Sequence, residues 1–261
     1  MSHIEKTFSF EDLKEFTVEA GRPDSITKEK LEVLRRHQIS RISINPQTMQ
    51  QKTLDCIGRK HTVEDIRQVY AMARELGFEN INMDLIAGLP GETLDDMKDT
   101  LRQIEMFAPD SLTVHALAMK RASRLTQEKR EGSYQGNDQA DSAAMLSEMI
   151  ELAAEYAGKM QLVPYYLYRQ KNIAGNFENV GYAKVDKAGI YNILIMEEKQ
   201  SIVAVGAGAS TKIVLPKEKT LIDEKTGNPK QIVRTENVKD VEQYINRIDE
   251  MIERKGEWLW H

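Results

Sequence analysis

The sequence predicts an α/β chain: a partial (β/α) barrel built on four parallel strands, followed by an α+β region. Three observations predict it. Four short β-type runs alternate with three amphipathic helical stretches over the first half. A polar residue stands at or near the end of each run. After Pro164 the alternation stops, and β-rich runs separated by turn residues replace it. Alternation of this kind specifies βαβ units and a parallel sheet. Right-handed crossovers then bring all strand C-termini to one rim. In barrels that rim carries the chemistry.

The elements follow in order. Residues 16–20 (FTVEA) form the first strand. Residues 26–37 form a charged helix with Leu31 and Leu34 inward. Residues 41–45 (RISIN) are the second strand. Thr62 opens the next helix, with Asp65 in capping-box position. Val63, Ile66, Val69, Tyr70, Ala73 and Leu76 make its apolar stripe, and Gly77 ends it. Residues 81–87 (INMDLIA) are the third strand. Thr93 and Asp96 begin another helix, faced by Leu94, Met97, Leu101 and Ile104 and stopped by Pro109. Residues 111–118 (SLTVHALA) are the fourth strand.

Residues 120–139 are polar and contain glycine, which reads as a long loop. Residues 142–157 are a helix with Leu146, Met149, Ile150 and Ala153 on one face. Residues 165–169, 190–196 and 201–205 read as strands, the last two as a hairpin across EEKQ. Short strands are expected at 213–215, 220–222 and 231–234, and a terminal helix at 237–254. The domain reading is 1–137 for the partial barrel and 138–261 for the α+β region.

Composition narrows the function classes. The chain has 261 residues, 41% apolar and 30% charged, which suits a globular core. A net charge of −5 disfavours bulk binding to nucleic acid, which draws on a basic face. No apolar run approaches the roughly 18 residues of a membrane span. One cysteine excludes an internal disulfide and fits a reducing compartment, so the cytoplasm is expected.

The strand ends supply the candidate site. Asp84 interrupts an apolar strand, where a carboxylate needs a partner or solvent. It reads either as a ligand contact or as a structural hydrogen bond. Glu19 and the Asn45–Gln47 segment end neighbouring strands; a carboxylate and an amide there suit an amino-acid moiety. Arg59 precedes the next helix and offers a rigid fork for a carboxylate. Each also reads as surface polarity or loop capping. His115 is a further rim candidate. The Gly88–Pro90–Gly91 turn lacks the Lys-Ser/Thr of a phosphate loop and reads best as a tight strand-to-helix connection. Cys56 reads as a small packed residue. PYYLYRQKN, from Pro164, reads as a strand, a core patch or a substrate-facing surface.

The ordered set FTVEAGRPDSI, RISINPQTM, INMDLIAGLPGET, SLTVHALAMKR, PYYLYRQKNIAGNFENVGY and IYNILIMEEKQSIVAVGAGASTK resembles the oxygen-independent coproporphyrinogen III oxidase family, also called coproporphyrinogen dehydrogenase, of the radical S-adenosylmethionine superfamily. It covers nearly the whole chain. The resemblance implies a six-stranded partial barrel whose CxxxCxxC loop holds a [4Fe–4S] cluster. It implies that this chain is N-terminally truncated relative to the family, lacks the first two strands and the cluster loop, and supplies strands three to six. By motif position it makes Glu19, Gln47, Arg59, Asp84 and Ala118 contacts of S-adenosylmethionine. A weaker contact falls near Thr211 or Lys212.

The implied activity belongs to the parent protein. There a radical derived from S-adenosylmethionine removes hydrogen from a propionate of coproporphyrinogen III. Loss of carbon dioxide and of one further electron leaves a vinyl group, and two such events give protoporphyrinogen IX in heme biosynthesis. An electron donor is therefore an implied partner. This chain alone is expected to show little or no activity and no cluster. Its free sheet edge is expected to favour self-association. The competing readings are a heme-binding chaperone of the same superfamily and a cluster-free tetrapyrrole-binding module.

Overall fold

The structure, a computed structural model, describes residues 1–117, 139–169, 178–222 and 227–260. Ala118 and the loop expected from residue 120 lie outside them. The described residues divide into two compact units, Met1–Ile190 and Tyr191–His261.

The first unit begins with a short helix, α1 (Ser2–Thr7). The repeating part follows: β1 (Thr17–Gly21), α2 (Lys28–Arg36), β2 (Arg41–Ile44), α3 (Gln51–Cys56), α4 (Val63–Glu75), β3 (Ile81–Ala87), α5 (Leu94–Phe107) and β4 (Ser111–Ala116). Both expected capping boxes form. Thr62 and Thr93 accept from the Asp65 and Asp96 backbone, and those carboxylates accept from the threonine N–H groups in return. Such caps satisfy N–H groups that a helix leaves open. Helix α6 (Gln139–Lys159) then leads to β5 (Val163–Arg169) and β6 (Glu178–Ala183).

The six strands make one sheet in the order β1-β2-β3-β4-β6-β5. β1 to β4 are parallel, while β6 runs antiparallel to β4 and β5 antiparallel to β6. The parallel half matches the sequence reading. Among the described residues the sheet is open, with β1 and β5 at its edges, so barrel closure is not seen. The expected division at 137/138 falls inside the first unit, because β5 and β6 hydrogen-bond into the same sheet as β4.

Strand alternation gives the sheet two unlike faces. Ile42, Ile44, Met83, Leu85, Leu112 and Val114 point to one side and are buried. They join Leu31, Ile66, Met97, Leu101 and Met149 from the helices in one core. Each such side chain contributes about 1.5–3 kcal/mol on burial. The residues between them are polar and face the other way.

An ionic clip fixes the start of β4. Asp110 is buried, pairs with Arg74 at 2.7 Å and Lys184 at 3.1 Å, and accepts the Ile81 N–H at 3.0 Å. It therefore ties α4, the start of β3 and the end of β6 together.

Helix α7 (Ile190–Glu197) leads into the second unit. There β7 (Ser210–Val214) pairs with β10 (Ile232–Glu236), and β8 (Leu221–Ile222) with β9 (Pro229–Lys230). Two helices follow, α8 (Val241–Asn246) and α9 (Ile248–Leu259). Ile213, Leu215 and Val233 pack with Trp258 and Leu259 in a small core. Two expectations are corrected here. Residues 190–196 are helical, not a hairpin strand; a short apolar run fits either state, and the periodicity does not separate them. Residues 201–205 contribute only a bridge between Ile202 and Lys212. The terminal helix breaks at Arg247, which leaves the helical region and forks onto Glu250 at 2.8 Å.

Candidate functional site

Parallel sheets are normally covered by apolar layers on both faces. Here one face carries a block of polar side chains. Arg41 and Ser43 on β2, Asn82 and Asp84 on β3, and Ser111 and Thr113 on β4 stand in register across three strands. Arg41 spans this face: its Nη2 donates to Ser111 Oγ at 3.0 Å, two strands away, while its Nη1 lies 3.9 Å from Glu19 Oε1 on β1. Arg41 is 2% exposed and Ser43 fully buried.

Three atoms along β2 are buried and lack a protein partner: Arg41 Nε, Ser43 Oγ and Asn45 Oδ1. Buried polar groups are nearly always paired, so a row of three on one strand face is an anomaly that a polar ligand or water resolves. The sequence pattern that marks it is the alternation of Arg41, Ser43 and Asn45 in RISIN. That signal was available, although only Asn45 was read as a site residue.

The rim residues sit on or beside this face. Asp84 accepts from Asn82 Nδ2 at 2.6 Å, and its second oxygen lies 3.8 Å from His115 Nε2. The pair remains partly open to solvent. Glu19 is largely exposed. Gln47 is mostly buried with φ 70°, in the left-handed region. Its N–H donates to the Asp84 carbonyl and its carbonyl accepts from Ile86 N–H, which pins it beside β3. A non-glycine residue in this region costs of order 1–3 kcal/mol, and such residues cluster at functional sites. The structure thus brings Gln47, Asp84 and His115 together toward the C-terminal ends of β3 and β4, while Glu19 lies against Arg41, which opens β2.

Arg59 stands at the end of α3, where Gly58 adopts φ 69° and the Arg59 N–H donates to the Leu54 carbonyl. It is half-buried. Burial and the nearby Arg22 lower its pKa, while Asp24 opposes them. Beneath the same loop, Thr48 Oγ1 donates to the buried Glu92 carboxylate at 2.5 Å and lies 3.3 Å from Thr100 Oγ1. Burial raises the Glu92 carboxyl above its ordinary value, against hydrogen bonds from Thr48 and Thr53. Glu92 supports the loop that carries Gln47; it does not face the polar sheet face by any contact seen here.

Tyr166 is a site residue that the sequence marked only as part of a tyrosine-rich run. It lies on β5 against Gly181 of β6. Burial pushes its phenol up to about 12, with Thr113, Asp84 and Arg41 among the groups it senses. Cys56 is exposed at the end of α3. Thr211 and Lys212 serve the second unit's own packing: Thr211 Oγ1 accepts from Ala204 N–H, and Lys212 Nζ bonds the Ile195 carbonyl and Glu198. Among the described residues no group of three His, Cys, Asp or Glu side chains is placed to hold a metal ion. No helix among them is long and apolar enough to cross a membrane.

The family model of the radical SAM superfamily matches residues 4–104. The chain is 46% identical over 254 residues to the oxygen-independent coproporphyrinogen-III oxidase-like protein HemZ of Bacillus subtilis (strain 168), covering 96% of this chain and 47% of that protein. Residues 4–104 of the chain thus match the radical SAM family, and nearly the whole chain is similar to an oxygen-independent coproporphyrinogen-III oxidase-like protein. Another relative is the heme chaperone HemW of the same organism, 38% identical over 109 residues, which is 42% of this chain and 28% of the chaperone. In fold, the chain is similar to coproporphyrinogen III oxidase (HemN) from Escherichia coli, with a TM-score of 0.63, 19% identity, and coverage of 90% of this chain and 49% of that one. The chain spans about half the length of the curated relative it matches along its whole length.

A match to the radical SAM superfamily implies S-adenosylmethionine and a [4Fe–4S] cluster. The residues present fit the first. Unpaired buried donors and acceptors beside exposed carboxylates suit a zwitterionic, hydroxyl-rich ligand. They do not fit the second, because a cluster draws on several cysteine thiolates and this chain has one.

Proposed function

We propose that this chain forms the S-adenosylmethionine-facing and substrate-facing part of a radical SAM oxidoreductase. Its reaction is the oxidative decarboxylation of coproporphyrinogen III to protoporphyrinogen IX. The observation that carries the reading is the row of unpaired buried polar atoms on β2, beside Glu19, Gln47 and Asp84. The similarity to the coproporphyrinogen oxidase-like relative supports it.

In this reading the chain's residues orient and shield. Glu19 attracts the ammonium of the bound cofactor, Arg59 its carboxylate, and Gln47 offers both a donor and an acceptor. Asp84, already held by Asn82, accepts hydrogen bonds from ligand hydroxyls. By motif position alone, Ala118 is assigned to the same cofactor set. When bound, S-adenosylmethionine supplies the radical chemistry; the protein supplies position and exclusion of water. The partial-barrel architecture, an external electron donor and a cytoplasmic location belong to the same proposal.

The test is anaerobic reconstitution with iron and sulfide of a polypeptide that carries this chain together with a cluster-binding segment, followed by reductant, S-adenosylmethionine and coproporphyrinogen III. Cofactor cleavage with release of carbon dioxide is expected, and its absence would sink the assignment. The similarity to a heme chaperone favours a second reading, in which the same face holds heme without turning it over. Tight heme binding with no cofactor cleavage would select that reading.

A further inference from the structure

The loops after β1 and after α3 bring Arg59, one of the proposed cofactor contacts, together with Arg22, Asp24 and His61, which are not among them. Arg22 follows β1 by one residue and forks onto Asp24, with Nε at 3.1 Å from one carboxylate oxygen and Nη2 at 2.8 Å from the other. His61 is 1% exposed, and neither ring nitrogen has a hydrogen-bond partner. Its Nδ1 stands 3.8 Å from Asp24 Oδ1, just beyond bonding reach. Arg59 lies close enough to sense both Arg22 and Asp24, and no ion pair holds it among the described residues.

The position of these groups is fixed locally. The capping box of α4 immobilises Thr62, the neighbour of His61, through Asp65. The turn at Gly58 fixes Arg59 against α3. The Gln47 loop is adjacent, since the Pro46 backbone acts on the His61 ring. Burial holds His61 in its neutral form, so the ring carries one N–H; the Pro46 carbonyl lies near it, outside good bonding geometry.

The charges do not balance. Two guanidinium groups face one carboxylate, and the imidazole is neutral. A half-buried cation with no ion pair, next to a buried imidazole with no partner, is a costly arrangement unless an anion completes it. Arginine forks match carboxylates in particular.

We propose that Arg22 and His61 complete, with Arg59, a subsite that receives a ligand carboxylate at the rim above β1 and β2. This rests on the reading of that rim as the cofactor-facing and substrate-facing side. Asp24 anchors Arg22 and is not displaced. Arg22 and Arg59 supply charge, and His61 supplies one directional hydrogen bond from below. The carboxylate belongs either to the amino-acid part of S-adenosylmethionine or to a tetrapyrrole propionate.

The experiment titrates the full chain with two matched probe pairs. S-adenosylhomocysteine carries the amino-acid carboxylate and 5′-methylthioadenosine does not. Coproporphyrin III carries free propionates and its tetramethyl ester does not. In one pair the wild-type chain should prefer the acid at least tenfold, and that pair identifies the source. Arg22→Gln and His61→Phe should each reduce that preference about fivefold or more, leaving the neutral probe's affinity unchanged. His61→Phe removes two unpaired nitrogens at similar volume, so its melting temperature should hold or rise while the preference falls. Arg22 is exposed enough that Arg22→Gln folds in any case. Wild-type preference that survives both substitutions overturns the subsite and leaves the rim reading standing. No binding of any probe by the wild-type chain overturns both.

Discussion

Gly181→Ala tests how the polar face is covered. Gly181 lies mid-strand in β6, opposite Thr113 of β4 and Tyr166 of β5. A Cβ there falls 1.9 Å from Tyr166 Cε1 and 2.3 Å from Cδ1. Carbon atoms settle at about 3.5–4.0 Å, so the ring must retreat by roughly 1.5–2 Å. Overpacking of this kind costs about 1–3 kcal/mol. The lost backbone freedom of the unfolded chain returns about 0.4–1 kcal/mol. A net destabilisation of up to about 2.6 kcal/mol follows, centred on about 1.3, which lowers Tm by about 3–5 °C at the centre and by up to about 10 °C for a unit of this size. Thermal denaturation monitored by circular dichroism measures it. In a Tyr166→Ala background the same substitution should cost little, because the clash is gone. A second readout is the Tyr166 phenol, followed at 295 nm as the difference between each protein and its Tyr166→Phe partner. It should titrate near 12 in the wild type and lower once the ring is displaced. Equal cost in both backgrounds, with an unchanged phenol, would refute the packing described here.

Three further perturbations follow from named contacts. Asp110→Ala leaves the Ile81 N–H without its acceptor and Arg74 and Lys184, both partly open to solvent, without their shared carboxylate, and should cost about 1–3 kcal/mol, read by denaturant unfolding of the first unit. Glu92→Gln addresses a group whose carboxyl is raised by burial. The folded state holds that proton more tightly than the unfolded chain does. Stability therefore falls as pH rises through the unfolded value near 4.5 and levels off above the folded one. The amide removes that loss, so Glu92→Gln should match or exceed wild-type stability at pH 7, with a flatter pH profile. Finally, β1 has a free outer edge among the described residues, which favours self-association. Size-exclusion chromatography should show elution that shifts with concentration; an invariant monomer would remove that expectation.

The parallel half of the fold was legible because its signals are local and redundant. Thr62 with Asp65 and Thr93 with Asp96 announce helix starts, and the stripes from Val63 to Leu76 and from Leu94 to Ile104 announce their buried faces. Each strand between them is short and apolar on one side. Residues 190–196 misled because Ile, Tyr and Leu in a seven-residue run satisfy helix and strand equally. Strand β6 was missed because ENVGYA contains Asn and Gly, whose placement depends on partners distant in sequence: Asn179 accepts from Ala116 N–H, and Gly181 makes room for Tyr166. At the site, Glu19, Gln47 and Asp84 were visible as polar interruptions at strand ends. Arg41 was not, because it opens its strand and reaches Ser111 on β4 across the intervening β3. That reach depends on register, which a single strand's sequence does not state.

The central claim is that the polar sheet face and its rim hold S-adenosylmethionine. Isothermal titration of the full chain with S-adenosylhomocysteine tests it most directly, on the wild type and on Asp84→Asn and Glu19→Gln. The account predicts one site per chain, with affinity reduced about tenfold by either substitution. No binding, or binding that both substitutions leave intact, would contradict it.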